Sequence, residues 1–573
     1  MVNKINVVSP VKSPDDIKLL FDKTCCRDFY VYYDRFFNDN FIYVNDFIQI
    51  AHQFSSRIYV NFKHDISENM QEEVRKFVEY LCTTDIDGIF VNSYTVLQLL
   101  KELENDKKNK VPFKIIIDSY FDIHNLYGIE FLKSFYNIDE VIITEEIYLK
   151  NIQKIKQCTS INLSVDSDNL PYFASQIKDL NAISNVVIKG KFKSSLEILD
   201  ACILIGNILD FPNDYQNSKL PFKHIRKSYY KTNHFSGEII SINGNDFNFS
   251  SHIQKHSWNF KSSRLKKNID YSQLKLPNIN LRLSSLAQIK NLESFIKKIG
   301  FNPVYSIEYG EIINTFDLAS KSFNEIMHLV KLFCLKYNIN LNISTPTILI
   351  ERDFERVFDY VKSLLISYPR PGTCIINNIG YFWAFINDID LSSFPIEIGG
   401  GINIINSSSA ACLSQLTKSI NCIDFSQIED FDMLENYIAK LDKSIIRKKY
   451  KIAGNIKVPS LGLCPLNNDS AIISRLSCQA PCHNGNYAIF DPSLNKIFPF
   501  TTDGFCRMHM YKDEILENYS IVDKLSSIGI NEFVFDLNTF NGNYVSIFLT
   551  KFLNFLYSKQ NTVHLTQHCG TLK

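Results

Sequence analysis

The sequence predicts an α/β protein built from two similar halves, and three observations support this prediction. In the first 200 residues, short apolar runs alternate with amphipathic stretches, as in FYVYY (29–33), RIYVNF (57–62) and DGIFV (87–91). This alternation is typical of strand–helix units around a parallel sheet whose strands are buried on both faces. The same pattern returns after residue 275, and 573 residues are enough for two domains.

Each half contains an ordered series of predicted elements. In the first half, FIQIAHQF (47–54) and EEVRKFVEYL (72–81) have helical periodicity, and FKIIID (113–118) and EVIIT (140–144) are further strand candidates. The strand candidates of the second half are INLRL (279–283), YSIEY (305–309), INLNIST (339–345), TCIINN (373–378), FPIEIGG (394–400) and NCIDFS (421–426). A closed barrel and a doubly wound sheet both fit this order. No GxGxxG motif follows a strand, which argues against a dinucleotide-binding fold.

An internal similarity suggests a duplication. Residues 113–152 and 394–434 each contain a strand, an asparagine, a helix and a second strand with a polar end. Asn125 and Asn406 are the two asparagines, and both are well placed to cap the helix that follows. A duplicated α/β domain is the simplest explanation.

Composition excludes several classes of protein. Lys plus Arg and Asp plus Glu are both 61, so no net charge attracts the whole chain to a polyanion. The 14 cysteines are too sparse for a secreted disulfide scaffold of this length, which indicates reduced thiols. No apolar run is long enough to span a membrane, and the N-terminal residues do not resemble a signal peptide. We therefore expect a cytoplasmic protein without membrane insertion.

Residues 219–267 differ from both halves, because they carry ten Lys or Arg and only two acids. Aromatic residues are interleaved with these charges, and residues 237–250 predict a hairpin with its turn near Asn243 and Gly244. Cations for phosphates and rings for bases are what a single-stranded RNA surface needs. The candidate RNA-binding residues are Lys223, Arg226, Lys227, Tyr229, Tyr230, Trp258, Arg264, Lys266 and Lys267. The alternative is a small β insert whose lysines are merely solvated.

Four cysteines form a separate group near the carboxy terminus. Cys464, Cys478, Cys482 and Cys506 follow the spacing C-x13-C-x3-C-x23-C in a segment rich in Gly, Pro and Asn. Four thiolates on loops suit zinc or an iron–sulfur cluster. Paired C-x2-C knuckles typical of structural zinc are absent, which mildly favours a cluster over zinc.

These residues resemble a known family, the collagenase-like peptidases of family thirty-two, in its longer two-repeat form. In the first half, RIYVNFKHDI, DIDGIFVNSYTVLQLLKE and DSYFDIHNLYGIEFLKSFYNIDEVIITEEIYLKNI follow the family's order. In the second half, IINNIGYFWAF, KVPSLGLCPLNN, DPSLNKIFPFTTDGFC and DKLSSIGINEFVFDL match its carboxy-terminal repeat. The similarity covers about residues 20–200 and 275–558.

The resemblance implies two TIM-like (β/α) barrels in tandem, with a small basic β-containing insert between them. We expect a first barrel at 1–211, the insert and linker at 212–274, and a second barrel with the four-cysteine site at 275–573. It further implies a [4Fe–4S] cluster on the four cysteines, a tRNA or rRNA hydroxylation activity, and prephenate as a co-substrate. Structural zinc or no metal are the alternatives for the cofactor.

The first barrel departs from the family pattern, because INLSVDSDNLPYF stands where the family has a cysteine-containing segment. That barrel is therefore expected to be degenerate, although Glu146 matches the family acid. The other catalytic candidates are Asn406, Arg507 and His509, the last two beside a predicted ligand. A collagenase-like peptidase, as the family name says, and a non-catalytic scaffold that pairs with an active relative remain alternative functions.

Overall fold

The chain folds into two closed barrels of eight parallel strands each, with helices between the strands. The computed structural model describes residues 5–569 with gaps, of which the larger are most of 144–160, 168–182, 211–237, 242–263 and most of 459–479. The α/β class and the tandem-barrel architecture predicted from the sequence are confirmed. The doubly wound alternative is wrong, since the last strand of each barrel pairs with its first.

The first barrel closes in simple sequence order. Its strands are β1 (Asn6–Pro10), β2 (Cys26–Tyr32), β3 (Arg57–Asn61), β4 (Gly88–Val91), β5 (Lys114–Ile117), β6 (Glu140–Ile143), β7 (Asn162–Asp166) and β8 (Ile183–Val187). Its described helices are α1 (Pro14–Lys23), α2 (Val44–Gln53), α3 (Gln71–Leu81), α4 (Tyr94–Lys107), α5 (Leu126–Phe135) and α6 (Ser195–Asp210).

The eight strands of the second barrel also pair in sequence order, with further strands inserted between the seventh and the eighth. Its strands are β10 (Asn278–Arg282), β11 (Ser306–Tyr309), β12 (Asn340–Ser344), β13 (Pro371–Ile376), β14 (Ile396–Ile398), β15 (Ile420–Asp424), β16 (Arg447–Lys457) and β20 (Glu532–Asp536). Its helices are α7 (Leu286–Ile299), α8 (Thr315–Ser320), α9 (Phe323–Tyr337), α10 (Glu351–Ser367), α11 (Ile379–Asn387), α12 (Ser407–Ser414), α13 (Phe431–Lys440), α14 (Val522–Ser527) and α15 (Tyr544–Cys569).

Between its seventh and eighth strands the second barrel carries an antiparallel extension. The far end of β16 pairs with β19 (Met508–Glu517), which continues through β18 (Lys496–Thr502) to β17 (Tyr487–Asp491). The edge strand β9 (Glu238–Ser241) comes from the basic insert and pairs with β17. The insert therefore adds a strand to the sheet of the second barrel, and the other half of its predicted hairpin lies outside the described residues.

The two barrels meet through helices at the ends of their fourth and fifth strands, where α5 contacts α11 and α4 contacts α12. Asn125 caps α5 and donates to the carbonyl of Leu349 at 2.7 Å. Asn406 caps α12 and donates in the same way to the carbonyl of Ile66 at 2.6 Å. Each barrel thus contributes one asparagine that caps a helix and bonds a carbonyl of the other barrel, as expected for a duplicated chain.

Candidate active site

The interior of the first barrel is filled by hydrophobic side chains at mid-height. The ring of Phe90 packs against the rings of Tyr30 and Tyr59, with centroids 5.4 and 5.5 Å apart. The remaining buried members of this layer are Val8, Ile116, Ile142 and Val187. A filled interior of this kind supports the fold, as in other barrels of this class. The interior of the second barrel differs, because charged side chains occupy most of it.

Charged side chains occupy the interior of the second barrel, and Arg282 lies at their centre. Its guanidinium bonds Glu308 at 2.7 Å and Asp424 at 2.5 Å, and lies 3.8 Å from Asp536. Burial opposes the charge of Arg282, but these three carboxylates together raise its pKa. The four side chains come from β10, β11, β15 and β20, at or near the carboxyl end of each strand. In barrels of this class the carboxyl ends of the strands form the active face.

A second layer of ion pairs lies deeper in the same barrel. Lys449 pairs with Glu397, and both side chains are almost completely buried. Arg447 donates two hydrogen bonds to Glu532, at 2.7 and 3.0 Å. Burial raises the pKa of Glu308 between the two layers, in spite of the neighbouring Arg282. An interior this polar is costly to fold, which is a common property of active sites.

The rim of the barrel contains a second charged group around Glu311. This carboxylate accepts hydrogen bonds from Thr347 at 2.6 Å and from Lys457 at 2.9 Å. Burial works against its ionisation, yet the charges of Lys457 and His509 lower its pKa to about 2. Glu311 is therefore an anion fixed at the rim, facing the antiparallel extension.

The predicted catalytic residues Arg507 and His509 are both buried in that extension. His509 Nε2 lies 3.1 Å from Asp503 Oδ2, while Arg507 donates to the carbonyl of Ile348 and stacks 4.5 Å above the ring of Phe505. Burial opposes the charge of Asp503, but Arg507 first and then His509 lower its pKa. These contacts tie the turn between β18 and β19 to the rim of the second barrel.

Two of the four predicted cysteine ligands are described, and they lie near the same helix. Cys506 is in the turn between β18 and β19 with a positive φ of 62°, and Cys482 is in the short 3-10 helix Pro481–His483. The 3-10 helix contacts α8, and Leu318 of α8 is also the nearest neighbour of Gly504. Cys464 and Cys478 lie outside the described residues. Within the described part of the chain, no group of three or more metal-ligating side chains is assembled.

The other predicted site residues are distributed as follows. Asn406 is completely buried between the barrels, where its side chain caps α12 and bonds Ile66 and Thr95. Its amide is thus part of the contact between the two halves. Glu146 lies outside the described residues.

Of the predicted RNA-binding residues, Arg264 and Lys266 are described and both are exposed. Lys266 donates to Ser558 at 3.0 Å and lies 5.6 Å from the ring of Tyr557 on α15. Lys223, Arg226, Lys227, Tyr229, Tyr230, Trp258 and Lys267 lie outside the described residues.

The charged interior of the second barrel was missed by the sequence prediction, although its signal is present. A charged residue interrupts the apolar run in INLRL, YSIEY, FPIEIGG and NCIDFS, and each of these side chains points into the barrel. Because neighbouring residues on a strand point to opposite faces, one charge between apolar residues marks the inner face. The pattern identifies Arg282, Glu308, Glu397 and Asp424 without a structure.

Taken together, the closed parallel barrels and the charged mouth of the second define a tandem α/β-barrel protein of the TIM-barrel type. Residues 31–166, from β2 to the end of β7, match the model of the family described as Peptidase family U32. The resemblance predicted from the sequence is confirmed over this segment. No curated protein shows significant sequence similarity to the chain.

Several solved structures are similar to parts of the chain. The YdjI aldolase from Escherichia coli K12 is 10% identical over 40% of this chain and 86% of its own, with a TM-score of 0.25. A putative fructose-1,6-biphosphate aldolase from Coccidioides immitis is 12% identical over 38% and 93%, with a TM-score of 0.28. D-psicose 3-epimerase from Clostridium cellulolyticum H10 is 10% identical over 40% and 98%, with a TM-score of 0.26. Similarities this weak indicate nothing about activity.

None of the described helices combines the length and the hydrophobicity that are needed to cross a bilayer.

Proposed function

We propose that this protein is an RNA-modifying enzyme of the tRNA or rRNA hydroxylation type, whose reaction takes place at the mouth of the second barrel. The observation that carries the proposal is the position of the Cys506 turn beside that mouth. Arg507 connects the turn to Ile348 after β12, and His509 on the next strand acts on Glu311 at the rim. A cofactor held by this turn would therefore lie next to a charged, strand-end pocket.

The cofactor we propose is a [4Fe–4S] cluster held by Cys464, Cys478, Cys482 and Cys506. The donor set fits, because four thiolates are the usual ligands of such a cluster. The two described cysteines both lie near α8, Cys482 in a short 3-10 helix and Cys506 in a turn. When bound, the cluster would supply redox chemistry. The substrate would be bound and oriented by Lys457, by Glu311, and by Arg282 with its three carboxylate partners. We also propose prephenate as the co-substrate of this reaction.

The cluster is tested by measuring iron, acid-labile sulfide and the absorption spectrum of protein purified without oxygen. We expect about four irons and four sulfides per chain, as in one cubane cluster. Cys482→Ser and Cys506→Ser should lose the iron, while Cys82→Ser, a partly buried cysteine of the first barrel, should keep it. Stoichiometric zinc would assign the cysteines a structural role, and protein without any metal would favour a scaffold.

The RNA part of the proposal depends on the basic insert. Its strand β9 extends the sheet of β17, β18 and β19, so the insert is attached to the same extension that carries Cys506. We expect that neutralising Lys223, Arg226, Lys227, Arg264, Lys266 and Lys267 weakens binding of tRNA or rRNA and flattens its salt dependence. As a control, neutralising Lys297, Lys298 and Lys336 on the helices of the second barrel should leave both unchanged. Equal effects of the two sets would contradict an RNA surface on the insert.

A peptidase is the second candidate, because the family matched by residues 31–166 is described as one. The direct test is incubation of the purified protein with gelatin and with denatured collagen. Cleavage that is lost in Arg282→Met and in Glu311→Gln would favour a peptidase over RNA modification. If neither activity is found, pairing with a related family member as a non-catalytic partner becomes the better hypothesis.

A further inference from the structure

Lys451 is an inward-facing lysine of β16 near the mouth of the second barrel. Arg447 and Lys449 point into the barrel, as their ion pairs with Glu532 and Glu397 show. Tyr450 points the other way, since its hydroxyl donates to the carbonyl of Ile428, and Ile452 packs in the outer core. The alternation of side chains along a strand therefore directs Lys451 inward, one step nearer the mouth than Lys449.

Lys451 also differs from the other cations of this interior in its partners. Arg282, Arg447, Lys449 and Lys457 each form an ion pair with at least one carboxylate. For Lys451, in contrast, the described part of the chain supplies no ion-pair partner within 4 Å. Lys451 is half-buried, whereas the side chain of Lys449 is about 1% exposed, so Lys451 is the more accessible of the two lysines.

The electrostatic surroundings of Lys451 favour a neutral amine. Burial lowers the pKa of Lys451, and the positive charges of Arg282 and Lys457 act in the same direction. Asp536 and Asp424 oppose this effect, but Arg282 already holds both of these carboxylates. A lysine with a lowered pKa in a partly enclosed site is the usual source of an amine nucleophile.

We propose that Lys451 forms a Schiff base with an aldehyde or ketone substrate bound at the mouth of the second barrel. The amine nitrogen attacks the carbonyl carbon, and the carbon–oxygen double bond is replaced by a carbon–nitrogen double bond. The carbonyl oxygen leaves as water with the two hydrogens of the neutral amine, so no oxidant or reductant is needed. This activity goes beyond RNA modification and requires neither the cluster nor RNA.

The test is reductive trapping on the full chain with hydroxyacetone and sodium cyanoborohydride, followed by peptide mapping. Hydroxyacetone is neutral, and as a ketone it reacts slowly with ordinary protonated lysines. We expect the main adduct on Lys451, at least tenfold above any other lysine. Lys451→Arg should abolish this adduct, and Lys448→Arg, the neighbouring position on β16, should retain it.

Two further measurements complete the test. Thermal unfolding of Lys451→Arg must match that of the unmodified chain, so that loss of the adduct reports the amine and not the fold. The rate of acetylation near pH 8 should be higher for Lys451 than for Lys448. Adducts spread evenly over surface lysines, or a Lys451 acetylated no faster than Lys448, would overturn the proposal. Because trapping works on metal-free protein, its failure is distinct from an absence of iron.

Discussion

Arg282 holds together three carboxylates from three different strands of the second barrel. Arg282→Met would leave Glu308, Asp424 and Asp536 buried without their counter-charge. Breaking a buried ion pair in this way costs about 3–5 kcal/mol. We expect a loss of this size in the free energy of unfolding, measured by urea denaturation.

Lys496 provides the control for this prediction, since its side chain is 43% exposed and that of its carboxylate partner, Glu514, is 63% exposed. Lys496→Met should cost less than about 1 kcal/mol, as the loss of a surface ion pair usually does. Similar losses for the two variants would mean that the Arg282 group is not the electrostatic centre of the barrel.

Glu311 makes the stability of the second barrel depend on pH. Its pKa falls from 4.5 to about 2 in the folded chain, although burial acts in the opposite direction, because Lys457 and His509 favour its ionised form. A carboxyl whose pKa is lowered by folding stabilises the fold above its unfolded pKa and loses this contribution as pH falls towards its folded pKa. The stabilisation should therefore be complete above about pH 5 and disappear between about pH 4.5 and pH 2.

Comparison of Glu311→Gln with the unmodified chain measures this contribution directly. The difference in unfolding free energy at pH 7 should be at most about 3 kcal/mol, since one pKa unit corresponds to about 1.4 kcal/mol. The two proteins should converge as the pH approaches 2. Glu514→Gln, a position 63% exposed, serves as control and should show no comparable trend. A difference independent of pH would contradict the role of the charge.

Among the elements of the first barrel, the parallel strands β2 to β6 were readily predicted. FYVYY, RIYVNF and DGIFV overlap β2, β3 and β4, since strands buried on both faces are continuous apolar runs. Most of strand β16 was missed, because its sequence RKKYKIAGNIK looks like a solvated surface. Arg447 and Lys449 in fact face the polar interior, where Glu532 and Glu397 neutralise them. Such partners come from distant strands, so composition within one segment does not reveal them.

The contact between α5 and α11 is close enough to require glycine. A Cβ atom at Gly380 would overlap the side chain of Asn125 on the opposite barrel. Gly380→Ala should therefore cost more than about 2 kcal/mol, as overpacking of a core does. Gly128→Ala is the control and should cost less than Gly380→Ala. Its added methyl would lie 3.3 Å from Ile123 and 3.6 Å from Ile379, without the overlap that Gly380→Ala produces.

A double-mutant cycle tests whether the clash is specific to Asn125. Asn125→Ala alone should cost about 1 kcal/mol for the lost helix cap, and more for its buried hydrogen bonds to the second barrel. The same change frees the space that the methyl group added by Gly380→Ala needs. The double variant should then be more stable than the sum of the single effects predicts, by at least about 1 kcal/mol. Strict additivity would show that Gly380 is needed for another reason.

For the whole molecule, the two barrels form one unit through an interface that repeats itself. Glu68 of the first barrel accepts hydrogen bonds from the backbone and hydroxyl of Ser407, at 2.8 and 2.9 Å. Glu351 of the second barrel accepts a matching bond from the backbone of Leu126, also at 2.8 Å. Glu68 lies two residues after Ile66, whose carbonyl accepts a hydrogen bond from Asn406. Glu351 likewise lies two residues after Leu349, whose carbonyl accepts a hydrogen bond from Asn125. The internal similarity of the sequence thus corresponds to an interface to which each barrel contributes the same kinds of hydrogen bond.

This interface should hold the halves together when the chain is cut between them. A protease site placed within residues 212–237 would separate the first barrel from β9 and the second barrel. Because Glu68, Glu351, Asn125 and Asn406 form buried or partly buried bonds across the interface, the two fragments should co-elute in size-exclusion chromatography after cleavage. Replacing both asparagines with alanine should release the fragments at a lower urea concentration. Fragments that separate at once without urea would mean that the covalent connection, and not this interface, keeps the barrels together.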